Sequence, residues 1–400
     1  MSVTPGVASL TPLQADLLRA AFGTDETAVE AWRRWRDAID WEAHLDHDAF
    51  RLLPRTYRNL RRQGGDDPLL PRLKGITLQA WYANQRRARQ FHPTLQALAA
   101  AGIELLIVPP AAVLLHDVTA VLRRQVPLAC AVRGSQAEAA IRCLWRLGWH
   151  AGVRLPRWFL AGYVLGADRL VWQHGDGQTL DLQWQCDPCD RRGRFPTEVW
   201  ERAGRARMAS EPVLILGGAD TVHDLCRRPV VGNAFGQIAD LLLSLDAMRA
   251  VPDWQRFFAR ARQAPIAPEW QGILRDLREL VPKMLPASIG TEWPPQGSPP
   301  LRPGATGTMR ERIAAHASRY RQAWGERYSF ARASRQLPGY LLARWRLPSL
   351  GHLPLRLWRG LRYEWRDARS PQTRRPTAGT NRPARRGGRQ QPGRQGGGRP

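Results

Sequence analysis

Two pairs of residues that could ligate a metal ion occur in the second half of the chain. Cys186-Asp-Pro-Cys189 is followed by His223-Asp-Leu-Cys226. Thiolate sulfur and imidazole nitrogen are the ligands of tetrahedral structural zinc, so these four residues are the candidate zinc ligands. The spacing between the pairs matches no compact zinc module, and the five cysteines are too few and too scattered for a disulfide framework. We therefore favour packing or chance over a zinc site.

A carboxylate in an apolar frame is the second candidate for chemistry. Thr179 to Trp184 reads Thr-Leu-Asp-Leu-Gln-Trp and carries Asp181. Two earlier apolar runs, Ile103 to Val108 and Pro127 to Val132, are also typical of buried strands. Acidic side chains on neighbouring strands are suited to holding Mg²⁺ for phosphoryl chemistry. Asp181 therefore lies on one of three predicted buried strands.

The order and spacing of these segments resemble an uncharacterised bacterial nucleotidyltransferase family of the polymerase-beta-like superfamily. In that family the first segment usually reads GI-x-x-x-x-L-K-G-A-A-L, the second D-x-D-L-L-V and the third x-x-D-L-H-W. Gly102 to Val113, Pro127 to Val132 and Thr179 to Trp184 occupy these places in this chain. The resemblance covers roughly Leu10 to Gln263 and implies a nucleotidyltransferase palm.

The residues that carry the family's chemistry are replaced. Pro109-Pro110 stand where Lys-Gly would be, Pro127 and Ala129 stand where the two aspartates would be, and only Asp181 remains. An Asp-x-Asp pair holds both magnesium ions of such a transferase because alternate strand residues face the same side. Pro127 and Ala129 offer no side-chain oxygen, and Pro109-Pro110 remove two N–H donors from the phosphate turn. We predict that metal-dependent transfer is lost.

Two interpretations of the remaining acidic residues stay open. Asp181 is the candidate catalytic residue, but we favour a hydrogen-bonded strand residue left from an active ancestor. Alternatively, Glu104, Asp117 or Asp176 could belong to a relocated metal site. Mg²⁺ and an NTP are expected as cofactors only if the chain is active, and otherwise none is expected.

The charge of the chain is strongly positive. Its 400 residues carry 60 basic and 35 acidic side chains, a formal net charge of +25, and 43% of residues are hydrophobic. Such a surplus favours contact with nucleic acid or an anionic membrane. All but two of the basic residues are arginines, which is equally typical of a GC-rich genome. No secretion signal or transmembrane run is evident, so we expect a cytoplasmic protein.

The periodicity of the chain predicts helices at both ends of a strand-rich centre. Thr11-Pro12 is suited to begin a helix that runs to Val29, and Leu69 to Ala99 reads as further helices. Gln136 to Leu147 predicts a helix that stops at Gly148. The predicted later strands are Tyr163 to Leu165, Leu170 to Trp172, Leu180 to Trp184 and Val213 to Leu216, with a hairpin turn at Gly175-Asp176-Gly177 and a second turn at Gly217-Gly218.

We therefore predict an α+β fold in which a small mixed sheet, the nucleotidyltransferase-like palm, is flanked by N-terminal and C-terminal helical regions. The predicted divisions are an N-terminal helical region at 1–100, the α/β core at 101–216, a C-terminal helical region at 217–292, a Pro-rich linker at 293–307, a basic helical extension at 308–369 and a disordered Arg/Gly/Pro tail at 370–400.

Within the basic extension we expect a helix from about Thr308 to Ala331, followed by a Pro/Gly-punctuated stretch. From Leu341 to Arg369 arginines alternate with tryptophans and leucines, a mixture that suits phosphate backbones or a membrane interface. The alternative is a helical extension docked on the body of the protein. The partners thus remain an unknown protein or small molecule, or nonspecific nucleic acid or anionic membrane.

Three functional hypotheses follow. The first is a catalytically degenerate nucleotidyltransferase-fold protein that acts as a binding or regulatory component. The second is an active enzyme with relocated metal ligands that transfers a nucleotide from an NTP to a small molecule, sugar or protein. The third is a basic adaptor for nucleic acid or anionic membrane.

Overall fold

A computed structural model describes residues 10–24, 26–42, 45–64, 66–121, 127–153, 160–184, 197–230, 234–248, 253–289, 330–344 and His352. The chain divides into two compact units, Met1–Pro354 and Leu355–Pro400, and all described residues belong to the first. The predicted linker at 293–307 and disordered tail at 370–400 lie outside the described residues, as does most of the predicted extension at 308–369.

Helices account for most of the described residues. Their bounds are α1 Pro12–Phe22, α2 Glu26–Ala38, α3 His47–Phe50, α4 Leu53–Arg62, α5 Leu70–Ala100, α6 Val113–His116, α7 Ala137–Arg146, α8 Leu160–Gly166, α9 Thr197–Glu201, α10 Gly218–Cys226, α11 Phe235–Ala247, α12 Trp254–Gln263, α13 Glu269–Leu280 and α14 Phe330–Arg344. The strands are β1 Leu106–Ile107, β2 Leu128–Ala131, β3 His150–Ala151, β4 Arg169–Gln173, β5 Thr179–Gln183, β6 Gly204–Met208 and β7 Glu211–Ile215.

The seven strands form one mixed sheet in the order β3-β4-β5-β2-β1-β7-β6. β2 runs parallel to β5, and β1 runs parallel to β7. The remaining neighbours are antiparallel, including the β4–β5 and β6–β7 hairpins. The protein is therefore a mixed α/β fold with many helices around one sheet.

Several predicted boundaries are confirmed, and each has a local cause. Thr11 caps α1, because its hydroxyl accepts from the Gln14 amide and the Gln14 side chain accepts from the Thr11 amide. Gly148 follows α7 with φ +81°, a conformation that favours glycine. The predicted hairpin turn joins β4 to β5, and Gly177 adopts φ +84° within it. These are positions where the turn chemistry depends on a few adjacent residues.

The predicted strand from Tyr163 to Leu165 is wrong, because this segment lies in α8. A short apolar run does not distinguish a buried strand from a buried helix. The tertiary reason is α14, which crosses α8 so closely that a Cβ on Gly162 would lie 2.0 Å from the Gln336 carbonyl oxygen. Gly166 likewise leaves room for the Tyr340 backbone. Glycines four residues apart thus form the face on which α14 packs.

The position of α14 also corrects the predicted end of the C-terminal helix. We predicted a helix to about Ala331 and then a Pro/Gly-punctuated stretch, whereas α14 extends from Phe330 to Arg344 and contains Pro338. Leu342 and Ala343 are buried in the core beneath the sheet. The first residues of the basic stretch are therefore docked on the body of the protein, as in the second of the two interpretations.

The two faces of the sheet are covered differently. One face packs against α5, α7, α8 and α14 and forms a large apolar core. The opposite face contributes to a small cluster in which Ala129 and Ala131 of β2 lie with Trp200 of α9. Because side chains alternate along a strand, Asp181 and Gln183, which pair with these alanines, lie on this second face.

A separate helical core joins the helices before the sheet to those that follow its last strand. Residues of α1, α2 and α4 share it with residues of α10, α11, α12 and α13. The sequence regions 1–100 and 217–292 therefore contribute to one common core. Within the described ranges, no helix combines the length and apolar character that a bilayer crossing requires.

A buried arginine connects this helical core to the loop that follows α6. The Arg51 side chain is 1% exposed and forms an ion pair with Asp240 of α11 and a second one, at 3.0 Å, with Asp48. Its Nε donates to the Val121 carbonyl oxygen at 3.0 Å, and Nη1 donates to the Gly236 carbonyl at 3.4 Å. Removing the guanidinium would leave buried carboxylate and carbonyl oxygens without their donor.

We expect Arg51→Met to lower the free energy of unfolding by about 3–5 kcal/mol, since it breaks a buried ion pair from one side. The matched control is Arg142→Gln, whose exposed pair with Glu138 should contribute less than about 1 kcal/mol. Urea denaturation followed by circular dichroism measures both. Equal losses in the two variants would contradict the role of Arg51.

Candidate functional site

The sheet register places Asp181 beside Ala129. In the parallel β2–β5 pair, the Cα partner of Ala129 is Asp181, and Asp181 also pairs with Val171 of β4. Pro127 precedes β2 by one residue and is partly exposed. The geometry expected for an aspartate at position 129 facing Asp181 is therefore present, but a methyl group occupies that place.

Asp181 is held by protein groups rather than by a second carboxylate. Its side chain is about 10% exposed, and the Gln183 Nε2 group donates to Oδ2 at 2.7 Å. The Arg169 Nε atom lies 3.5 Å from Oδ1, which is within the range of an ion pair but makes no hydrogen bond. Among the described residues, Oδ1 has no hydrogen-bond donor. Asp181 thus keeps one satisfied and one poorly satisfied oxygen.

Shifting the motif by one residue does not restore a ligand pair. Leu128 and Cys130 lie on the opposite face of β2, inside the large core. Burial, and then the nearby charge of Asp181, raise the pKa of the Cys130 thiol. Cys130 therefore remains a neutral, buried thiol, as does the free Cys143 in the same core.

The proline pair lies in a buried turn between β1 and α6. Pro109 and Pro110 are joined by a cis peptide bond, and both are buried. The Pro109 carbonyl oxygen accepts from Arg228 Nη2 at 2.8 Å, and the same nitrogen donates to Asp224 at 2.9 Å. Neither proline has an N–H to donate to a phosphate. The Pro109 carbonyl oxygen is already bonded to Arg228, which lies just after α10.

The three carboxylates considered for a relocated metal site are separated and engaged. Glu104 pairs with Arg133 at 2.9 Å, Asp117 pairs with Arg58, and Asp176 lies 2.8 Å from His174 in the β4–β5 turn. In the part of the chain that the structure describes, no three His, Cys, Asp or Glu side chains come together as a metal site requires.

Only half of the candidate zinc set can be located. Cys186 and Cys189 lie outside the described residues. His223 Nε2 donates to the Ala264 carbonyl at 2.7 Å, and its Nδ1 accepts from Arg260 Nε at 3.2 Å. Cys226 is fully buried, and burial raises its pKa. A zinc ligand needs an available ring nitrogen or a thiolate. In this structure both ring nitrogens of His223 are hydrogen-bonded, and Cys226 is a buried thiol.

A cleft at the start of α10 is a feature that the sequence does not reveal. It has a volume of about 280 Å³ and is lined by Arg202, Asp220 and Arg256 together with the backbone at Gly217. Gly217 is the N-cap of α10, which refines the predicted turn. Asp220 is buried and paired with Arg202 at 3.2 Å. These residues come from separate elements, so no local spacing in the sequence indicates the cluster.

Comparisons with known proteins add little to this geometry. No family model matches the chain, and no curated protein matches it. A search of solved structures gives similarity to the solution structure of the antibiotic-resistance factor ANT(2'')-Ia. The identity is 15%, the alignment covers 49% of this chain and 97% of that chain, and the TM-score is 0.33. Similarity at this level carries no argument about the function of the chain.

His223 provides a pH test of its structural role. Burial, the largest cause, lowers its pKa to about 4; the bond to Ala264 opposes this, and the charges of Arg260 and Arg227 add to it. In the unfolded chain the imidazole has a pKa of about 6.5. Between about pH 4 and 6.5 it is therefore mostly protonated in the unfolded chain and mostly neutral in the folded chain. The contribution of neutral His223 to the free energy of unfolding is therefore complete above about pH 6.5 and is lost as the pH drops toward 4.

We expect the wild-type chain to lose about 2 kcal/mol of unfolding free energy from this group between pH 7 and pH 5. His223→Gln should remove that part of the slope, whereas His150→Gln, a change at an exposed strand position, should not. Urea denaturation at several pH values measures the difference. Parallel pH profiles for wild type and His223→Gln would show that His223 titrates normally.

Proposed function

We propose that the chain is a binding or regulatory component built on a nucleotidyltransferase-like sheet, and that it has lost metal-dependent nucleotidyl transfer. The observation that carries the proposal is the pairing of Ala129 with Asp181. Two magnesium ions require several oxygen ligands at one place, and among the described residues of β2 and β5 Asp181 is the one carboxylate on this face.

The surroundings of Asp181 support the same conclusion. The Gln183 amide and the Arg169 guanidinium occupy positions from which they stabilise the carboxylate without a metal ion. An arginine beside a lone carboxylate supplies the positive charge that a cation would otherwise bring. A nearby guanidinium also disfavours the approach of Mg²⁺ by charge repulsion.

The proline turn supports the proposal independently of Asp181. A phosphate-binding turn presents backbone N–H groups toward the ligand. At Pro109-Pro110 there are no such groups, and the Pro109 carbonyl instead accepts from Arg228. Two separate parts of a transferase site, the metal ligands and the phosphate turn, are thus both replaced by groups with structural partners.

We expect the purified chain, incubated with labelled NTPs and Mg²⁺ or Mn²⁺, to release no more pyrophosphate than Asp181→Asn. This variant keeps an oxygen acceptor for Gln183 and removes the charge. Asp176→Asn, in the exposed β4–β5 turn, is the matched control for loss of one carboxylate. Pyrophosphate release or label transfer that Asp181→Asn abolishes and Asp176→Asn retains would overturn the proposal in favour of an active transferase.

A further inference from the structure

A second, larger cleft lies away from Asp181, between α5 and the β6–β7 hairpin at the far edge of the sheet. Its volume is about 460 Å³. Four of its lining side chains are basic or can become so: Arg87, Arg89 and His92 of α5, and Arg207 of β6. None of the described residues that line it is acidic. Beside the cleft, the Glu211 carboxylate lies 3.7 Å from His92.

The cleft is built by contacts that fix its walls. Asn84 Nδ2 donates to the carbonyl oxygens of Val118 and Ala120, at 2.9 and 2.7 Å, and so ties the segment after α6 to α5. Arg207 Nη1 donates to the Ser210 carbonyl at 2.9 Å, which uses one of its five N–H donors and holds the guanidinium at the hairpin turn. Positive charge is therefore concentrated in a preformed concave surface.

The charge is also unbalanced along α5 itself. This helix of 31 residues contains four arginines and one lysine and no Asp or Glu. Burial removes part of the hydration of the Arg87 guanidinium and thereby lowers its pKa. A phosphate in the cleft would accept charge-assisted hydrogen bonds from the arginines that line it.

An exposed aromatic pair continues the cleft along the same helix. Trp81 is 36% exposed and Tyr82 is 66% exposed, and their rings contact edge to face at 4.8 Å. Trp81 lies three and four residues before Asn84 and Gln85 and eleven before His92, so it belongs to the helix face that lines the cleft. An indole next to arginines is the combination that stacks bases while neighbouring cations contact phosphates.

The geometry points to a binding site for single-stranded nucleic acid along Trp81, Arg87, Arg89 and Arg207. The stretch of helix from Trp81 to His92 is about 16 Å long. At about 3.4 Å per stacked nucleotide this matches roughly five nucleotides. Unpaired bases can stack on an exposed ring, whereas the bases of a duplex are already stacked on one another. A flat membrane surface would not fill a concave cleft.

This inference does not rest on the loss of transferase activity, because the cleft and Asp181 use different residues. The test uses the full chain and a fluorescein-labelled oligothymidylate of about five nucleotides, with anisotropy measured over a range of salt concentrations. The cleft variant is Arg87→Gln/Arg89→Gln/Arg207→Gln. The matched control, Arg33→Gln/Arg262→Gln/Arg275→Gln, removes the same charge from exposed positions on α2, α12 and α13.

We expect the cleft variant to bind at least tenfold more weakly, and the slope of log K against log salt to fall by about 2, since each lost phosphate contact accounts for about 0.7. The control triple should change affinity less than about threefold. Trp81→Ala should weaken binding roughly tenfold, whereas Leu78→Ala, one turn earlier and also exposed, should not.

Equal weakening by the two triple variants, or no weakening by either, would overturn the site. A measurement that needs no variant is photochemical cross-linking of the oligothymidylate to the wild-type chain: cross-links to the peptide that contains Trp81 support the proposal, and cross-links confined to 370–400 contradict it. Phosphatidylserine vesicles form the last arm. Binding of vesicles but not of oligonucleotide, with loss in the cleft variant, would replace nucleic acid by membrane as the ligand.

Discussion

The parallel pairing of β2 with β5 is the constraint on which the rest of the site depends. It fixes Ala129 beside Asp181, so the number of carboxylates at this point of the sheet is decided by one residue on the neighbouring strand. A carboxylate that is mostly buried must find opposite charge or hydrogen-bond donors. Ala129 brings no second negative charge to this point, and among the described residues the Gln183 amide and the peripheral Arg169 are the partners of Asp181. Of the two carboxylate oxygens, Oδ2 accepts from the Gln183 amide, whereas Oδ1 has the Arg169 guanidinium nearby at 3.5 Å and no hydrogen-bond donor among the described residues.

The connection between β1 and β2 is held by hydrogen bonds to its backbone oxygens. The Pro109 carbonyl accepts from Arg228, the Val118 and Ala120 carbonyls accept from Asn84, and the Val121 carbonyl accepts from Arg51. Side chains from three different helical segments therefore anchor this connection through its backbone oxygens. The same anchoring forms one wall of the cationic cleft. The proline turn and one wall of the cationic cleft thus belong to one stretch of chain.

Much of this arrangement could be predicted from the sequence where the signal is local. The capping box at Thr11, the hairpin turn and the strands around Asp181 depend on adjacent residues, and the structure contains them. β6 was missed because an exposed edge strand of sequence Gly-Arg-Ala-Arg-Met lacks the apolar pattern of a buried one. The strand predicted at Tyr163 is a helix, because α14, far along the chain, packs on the glycines of α8. The ion pair of Asp181 with Arg169 could not be predicted from the sequence either, because the two residues come together only when β4 and β5 pair.

The most direct test of the central claim is to measure Mn²⁺ binding by electron paramagnetic resonance. The two chains compared are the wild type and Pro127→Asp/Ala129→Asp. Position 129 pairs with Asp181, and position 127 lies two residues before it, just ahead of β2, so the double variant should bind Mn²⁺ and unfold at higher temperature in its presence. Adding Asp181→Ala should abolish both effects, and the wild-type chain should show neither. A wild-type chain that binds Mn²⁺ through Asp181, or a folded double variant that fails to bind it, would contradict the claim that this sheet keeps the metal-site geometry and lacks only its ligands.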